Sequence, residues 1–259
     1  MKWNELAQLT QHPWLQRIEF HQSLPSTNDQ AAVLAAEEQL ACPALVLAEE
    51  QTAGRGRGGN RWWSAAGGLM FSLVLERTPA ASSTHWFGYS LAAGLAICEA
   101  LDAVCPSAPF AVKWPNDVYA GERKICGILS ESPASAPGRL IVGIGVNVNN
   151  SFQSAPQELA QTATALCDLD GQSRSAIGVL GPILQRLEQR WSDLTATGFE
   201  PIRTAWLTRS LLTGRTVQLQ AGQRTHVGVC LGIDEQGALV LQTESGRQSF
   251  AAGSIVHFE

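Results

Sequence analysis

Gly54-Arg55-Gly56-Arg57-Gly58-Gly59-Asn60-Arg61-Trp62 lies between two apolar runs, ALVLA at 44–48 and LMFSLVL at 69–75. Short apolar runs bounded by turn residues read as strands buried on both faces. The segment between them is then a connection of a sheet, and it carries four glycines and three arginines. Glycine lets backbone N–H groups approach an anion closely, and arginine supplies forked, permanently charged donors. A phosphate or a carboxylate is the natural guest. The segment is not a Walker loop, because G-x-x-x-x-G-K-[ST] is absent. Gly54, Gly56 and Gly59 do have the G-x-G-x-x-G spacing. No helical pattern follows them, which sets a dinucleotide-binding fold aside.

Working toward the N-terminus, Ser26-Thr27-Asn28-Asp29 has the S-x-x-D form of a helix start and precedes the strong helix former AAVLAAEEQL at 31–40. Toward the C-terminus, 86–104 reads as a buried helix, and 110–114, 124–131 and 140–148 read as strands. Turn chemistry at Ala120-Gly121-Glu122 predicts a hairpin between the first two of these strands. Residues 151–175 are polar and loop-like, with a short helix near 156–166, and Pro182 and Pro201 stand where helices over 182–194 and 201–210 are expected to begin. After 210 the character changes. Short strands at 216–219, 225–233, 238–242 and 248–250, separated by GQ, DEQG and SGR turns, predict a small β-barrel. The expected fold class is α/β (α+β), with a larger domain over 1–210 and a barrel domain over 211–259.

The chain has 259 residues, 45% of them hydrophobic and 16% charged, which is enough apolar material for a substantial core. A net charge of −5 argues against a nucleic-acid binder held by bulk positive charge. Residues 1–20 carry no recognition-helix pattern, so no DNA partner is expected. No run approaches the ~18 consecutive apolar residues of a spanning helix. The first residues, MKWNELAQLTQ, lack an apolar signal core, so the expectation is a cytoplasmic protein with no membrane partner. The cysteines at 42, 98, 105, 126, 167 and 230 form no C-x-x-C and are expected to be reduced, packed thiols. Fifteen of the 18 basic residues are arginine; the lysines are Lys2, Lys113 and Lys124.

The two internal lysines fall in segments of their own interest. Lys113-Trp114-Pro115-Asn116-Asp117 ends a strand, where proline stops the ladder and clusters polar side chains, either as a site or as an ordinary turn. Lys124-Ile125-Cys126-Gly127-Ile128-Leu129 opens an apolar strand with a lysine that suits an anion as a point charge, or that acts as a gatekeeper beside a hydrophobic run. Gly143-Ile144-Gly145-Val146-Asn147-Val148-Asn149 puts two glycines on one strand face, which leaves room for a flat ligand or marks a packing bulge.

In order and spacing, the STN helix start, GRGRGGNRW, KWPND, K-x-x-G-I-L and GIGVNVN resemble the biotin protein ligases over roughly residues 18–259. The resemblance implies a class II synthetase-like catalytic domain with a mixed sheet and flanking helices, followed by a Src-homology-3-like barrel. It implies that biotin's carboxylate attacks the α-phosphate of ATP, with Mg2+, to give biotinyl-5′-AMP. The biotinyl group then passes to a lysine of the biotin carboxyl carrier protein of acetyl-CoA carboxylase. By motif match, Ser26, Thr27, Asn28 and Gln51 meet biotin's ureido ring. Arg55, Gly56 and Arg57 enclose its carboxylate and the α-phosphate, and Lys124 holds the carboxylate and adenylate. Lys113, Asn116, Asp117 and Asn147, with Trp62, serve the nucleotide, and Asp117 is the candidate metal ligand. The implied catalytic set is Arg55, Arg57, Lys113 and Lys124.

The chain departs from the family pattern at Gly58, where relatives often carry an arginine, and the form expected is the one without an N-terminal DNA-binding domain. A homodimer stays open. Two other readings compete: a lipoate-type protein ligase with the same adenylate chemistry, and a non-catalytic biotin-binding module. The polar STN and Gln51 set suits a ureido ring better than a dithiolane, and pure ring binding would not need four phosphate-directed cations. Segment 54–68 is expected to be mobile until an anion arrives, because its arginines have no evident protein partners in the sequence.

Overall fold

The structure is a computed structural model that describes residues 12–76 and 85–259. The readings of the N-terminal stretch fall largely on residues 1–11, outside the described residues. β1 (Arg17–Leu24) and β2 (Ala44–Gln51) run parallel, joined by α1 (Thr27–Ala35). Parallel neighbours require such a crossover. β3 (Leu69–Glu76) returns antiparallel, and α2 (His85–Val104) crosses the sheet. β4 (Phe110–Lys113), β5 (Asp117–Ala120), β6 (Arg123–Glu131) and β7 (Arg139–Val146) then complete a seven-stranded mixed sheet of order β1-β2-β3-β7-β6-β5-β4. Beyond it come α3 (Gln157–Thr162), α4 (Leu166–Asp170), α5 (Ala176–Thr197) and α6 (Glu200–Thr208).

The unbroken apolar runs are explained by burial on both faces. Ala44, Val46 and Ala48 of β2 pack under α1 with Val74 and Ile141, whereas Leu45, Leu47, Phe71 and Leu73 point into the core that contains α2 and α5. α5 buries Leu180, Ile183, Leu184, Leu187, Trp191 and Leu194, an apolar stripe at helical spacing. The stretch 87–104 of α2 is long and apolar enough to cross a bilayer by composition, yet 67% of it is buried inside the protein. All six cysteines are free thiols, four of them buried.

The structure departs from the sequence expectations in several places, among them a strand at Ser254–Phe258 that was not expected. α1 stops at Ala35 instead of continuing to residue 40. β5 lies between the two strands expected to form one hairpin, so the 120–122 turn joins β5 to β6. Pro182 lies inside α5, which starts six residues earlier under a Ser175 side-chain cap on the Gly178 N–H; Gly178 and Gly181 hide this first turn from a propensity reading. β1 was not anticipated, because its side chains are only partly buried and its alternation is weak.

The C-terminal unit is a five-stranded antiparallel sheet, β8 (Thr216–Ala221), β9 (Arg224–Ile233), β10 (Leu239–Thr243), β11 (Gly246–Phe250) and β12 (Ser254–Phe258), in the order β11-β10-β9-β8-β12. It closes against the larger sheet. Buried Trp114 donates its indole N–H to Gly237 O at 3.1 Å, and Lys113 Nζ lies 5.0 Å from the Phe258 ring centre. Trp114→Phe removes that donor and strands a buried carbonyl, so a loss of about 1–3 kcal/mol is expected; urea unfolding measures it.

Candidate active site

A bulge aims the second lysine. Val118 pairs with Cys126 but Tyr119 pairs with Lys124, so Ile125 is the extra residue in β6. An extra residue reverses the alternation locally. Lys124 therefore joins the face that carries Asp117 and Gly127, and its ammonium meets Asp117 Oδ1 at 2.5 Å. Lys113, opposite Asp117 on β4, donates to Tyr119 Oη at 3.1 Å and lies 5.0 Å from the ring centres of Tyr119 and of Phe258 in β12. Burial lowers the Lys113 pKa from its ordinary value, with nearby Asp117 opposing. Burial also pushes the Tyr119 phenol up.

The same sheet face explains the two glycines of β7. A Cβ at Gly143 would stand 1.9 Å from Asn28 Oδ1, and one at Gly145 would stand 2.5 Å from the Trp62 indole. The β3–β7 and β6–β7 registers run through both positions without a shift, so neither glycine marks a bulge. The flat group against the backbone is Trp62 itself, which also lies 3.0 Å from a Cβ built at Gly127. Lys124 Nζ sits 5.8 Å from the Trp62 ring centre.

At the other end of this face, Ser26, Thr27 and Asn28 are 3–4% exposed at the start of α1. Ser26 has the extended backbone of an N-cap without a side-chain cap bond. The Thr27 N–H and hydroxyl both donate to Gln51 Oε1 (2.7 and 3.1 Å), and Gln51 donates to Ser64 Oγ at 3.2 Å. Ser72, fully buried in the middle of β3, is hydrogen-bonded to Thr27 Oγ1 at 2.8 Å and to Asn28 Oδ1 at 2.7 Å. It was missed in the sequence, although it is the sole polar residue in LMFSLVL.

Between these ends lies a cavity of about 250 Å3. Every residue given a site role by motif match lines it except Asn147, which lines an adjoining cavity of about 660 Å3. Gln51, Arg61, Trp62, Asp117 and Lys124 line both, so the two chambers share a wall that includes the lysine. Ser254 and Ile255 of the C-terminal sheet close the first chamber. The site thus has a neutral, hydrogen-bonding end and a cationic end, and a second chamber opens beyond the cations.

Residues 20–149 match the biotin/lipoate A/B protein ligase family, and residues 212–257 match the biotin protein ligase C terminal domain. A biotin–[acetyl-CoA-carboxylase] ligase of Paracoccus denitrificans is 36% identical over 237 residues, covering 89% of this chain and 96% of that protein. The chain belongs to the biotin protein ligase family. The bifunctional ligase/repressor BirA of Bacillus subtilis is another relative, 33% identical over 93% of this chain and 74% of its own. The biotin protein ligase of Aquifex aeolicus, solved in complex with biotin and ATP, superposes with a TM-score of 0.81 at 30% identity, covering 94% of this chain and 99% of that one.

Within this family member, the glycine-arginine segment is tied down more than its sequence suggests. Arg55 Nε meets Asp29 at 2.9 Å, and its two terminal nitrogens donate to Glu131 at 3.0 and 2.7 Å. Arg57 donates to Gly253 O of the C-terminal unit at 2.8 Å. Both arginines therefore have protein partners, contrary to the expectation for this loop. Gly58 and Gly59 have φ of 66° and 83°, the left-handed region that glycine enters without strain, so a backbone reason stands beside the missing arginine at 58. The Asn116 amide donates to Ile128 O, and the Asn147 amide donates to Thr164 O at 3.0 Å while its oxygen accepts from Asn150 at 2.9 Å. Among the described residues no group of three or more His, Cys, Asp or Glu side chains converges as a metal site.

Proposed function

We propose that this protein activates biotin with ATP and transfers the biotinyl group to a lysine of a carrier protein. The observation that carries this reading is the two-ended cavity: Ser26, Thr27, Asn28 and Gln51 line one end with neutral hydrogen-bonding side chains, and Arg57, Lys113 and Lys124 line the other. A ureido ring needs both donors and acceptors, whereas a dithiolane needs neither. The carboxylate oxygen attacks the α-phosphorus of ATP, the bond to the bridging oxygen breaks, and pyrophosphate leaves. The amine of the acceptor lysine then attacks the carbonyl carbon, loses a proton, and expels AMP. No protein nucleophile is required. The cations overcome repulsion between two anions and hold the mixed anhydride away from water.

In this reading Arg57 and Lys124 hold the carboxylate and α-phosphate, while Lys113 and Trp62 serve the nucleotide. Asn116 and Asn147 fix the strand ends around it through the bonds described above. Mg2+ is commonly carried by one or two carboxylates together with substrate phosphates. Asp117, whose Oδ1 is on Lys124, would have Oδ2 left to offer the ion, which would neutralise phosphate charge there. The acceptor is proposed to be the biotin carboxyl carrier protein of acetyl-CoA carboxylase, in keeping with the name of the Paracoccus relative.

The test is ATP–pyrophosphate exchange with biotin or lipoate as the only acid. Exchange that depends on biotin and ignores lipoate is expected; the reverse preference would make this a lipoate ligase. Arg57→Ala should shorten the half-life of the enzyme-bound adenylate about ten- to hundredfold, the loss expected for one charge-assisted contact. That half-life is read by rapid gel filtration followed by timed release.

A further inference from the structure

Glu131, the last residue of β6, is bonded to both sides of the pocket. Its carboxylate takes the two terminal nitrogens of Arg55, and one of its oxygens also accepts the Asn28 amide at 2.7 Å. Through Asn28 these bonds continue to Ser72 and Thr27, whose backbone N–H leads on to Gln51 and so to Ser64. Arg55 and Ser64 lie on one segment, which is itself pinned by the Trp62 N–H on Gly54 O at 2.9 Å and by the Arg55–Arg61 bridge. The polar end is therefore a chain of bonded side chains closed through the backbone of segment 55–64, with Glu131 as the member that joins loop to helix.

We infer that Glu131 is a positioning residue for biotin recognition: together with Asp29 it anchors Arg55 through three of its five N–H donors and fixes the Asn28 amide, so Arg55 ties the loop to the pocket wall while Arg57 and Lys124 face the substrate anion. This rests on the pocket being the biotin site.

Three features carry the inference. Three of the five Arg55 N–H donors are taken by carboxylates, with Nε on Asp29 and a bidentate pair on Glu131, and bidentate pairing sets geometry as well as energy. The amide of Asn28 has one arrangement in this ring: its oxygen accepts from Ser72, and its nitrogen donates to Leu129 O at 3.1 Å and to Glu131. The Arg55 and Glu131 side chains are 40% and 34% exposed. Ion pairs that open to water contribute little to folding, so the consequence of losing this one falls on the pocket.

The experiment compares Glu131→Ala and Glu131→Gln with the parent, by calorimetric titration of biotin without ATP and by pyrophosphate-exchange kinetics, with thermal unfolding alongside. Glu131→Ala is expected to raise the biotin Kd and KM about ten- to hundredfold. The ATP KM, and kcat at saturating biotin, should change less than about twofold, the pattern of lost substrate binding. Glu131→Gln, which keeps an acceptor for Asn28, should recover most of the affinity, and both variants should melt close to the parent. Parental biotin affinity in Glu131→Ala would overturn the inference and leave the site reading intact. So would a matched fall in kcat and ATP affinity that Gln does not rescue, since that marks a structural role. A parent that binds no biotin would overturn the site reading and this inference together.

Discussion

Lys124→Ala is expected to slow biotin-dependent adenylate formation about 10²–10³-fold, the usual cost of removing one preorganised charge from a developing anion. The bulge at Ile125 aims this lysine, which lines both chambers. Its partner Asp117 holds it in place, and the pair is partly open to water, so the fold should survive its loss. Pyrophosphate exchange and thermal unfolding on the same sample separate the possibilities. Slow exchange in a protein that melts like the parent is the expected result. A destabilised protein with normal exchange per folded molecule would make the lysine structural.

Gly143→Ala should have the next largest effect, and on a different property. The added methyl would stand 1.9 Å from Asn28 Oδ1 and 2.7 Å from Asn28 Cγ, closer than side-chain atoms can approach. Asn28 is buried and bonded to Ser72, Leu129 and Glu131, so moving it breaks the polar ring at its centre. Overpacking of this kind costs about 1–3 kcal/mol, and for a domain of this size each kcal/mol lowers Tm by about 2–4 °C. Biotin affinity should fall about tenfold in parallel, the cost of displacing one hydrogen-bonding group of the pocket. Calorimetric unfolding and biotin titration measure both. A variant with the parent's Tm and affinity would mean that Asn28 has room to move and that the ring does not hold it.

The residues that were legible in the sequence are those whose chemistry is local. Buried strands 44–48 and 69–75 showed as apolar runs, and the glycine-arginine segment and the two internal lysines showed as charges at strand ends. The glycines of β7 signalled a close approach, although only the fold shows that Asn28 and Trp62 make it. What was hidden depends on pairing across the chain. Glu131 ends an apolar strand and reads as a solubilising charge until Arg55, 76 residues away, is placed against it. Ser72 reads as a tolerated polar residue until α1 covers it. The 117–120 strand is only four residues long and follows a Pro-Asn pair, so turn chemistry outweighs its strand signal. Pro182 misled because proline is compatible with a helix start, whereas here the start is fixed upstream by the Ser175 cap.

The central claim is that the cavity joins biotin to a carrier lysine through an adenylate. Its most direct test is the intact mass of a biotin carboxyl carrier domain after incubation with this protein, biotin, ATP and Mg2+. The account predicts one added biotinyl group on a single lysine, lost when biotin or ATP is omitted. A carrier that remains unmodified while biotin and ATP are turned over to free adenylate, or one labelled equally at every exposed lysine, would contradict it.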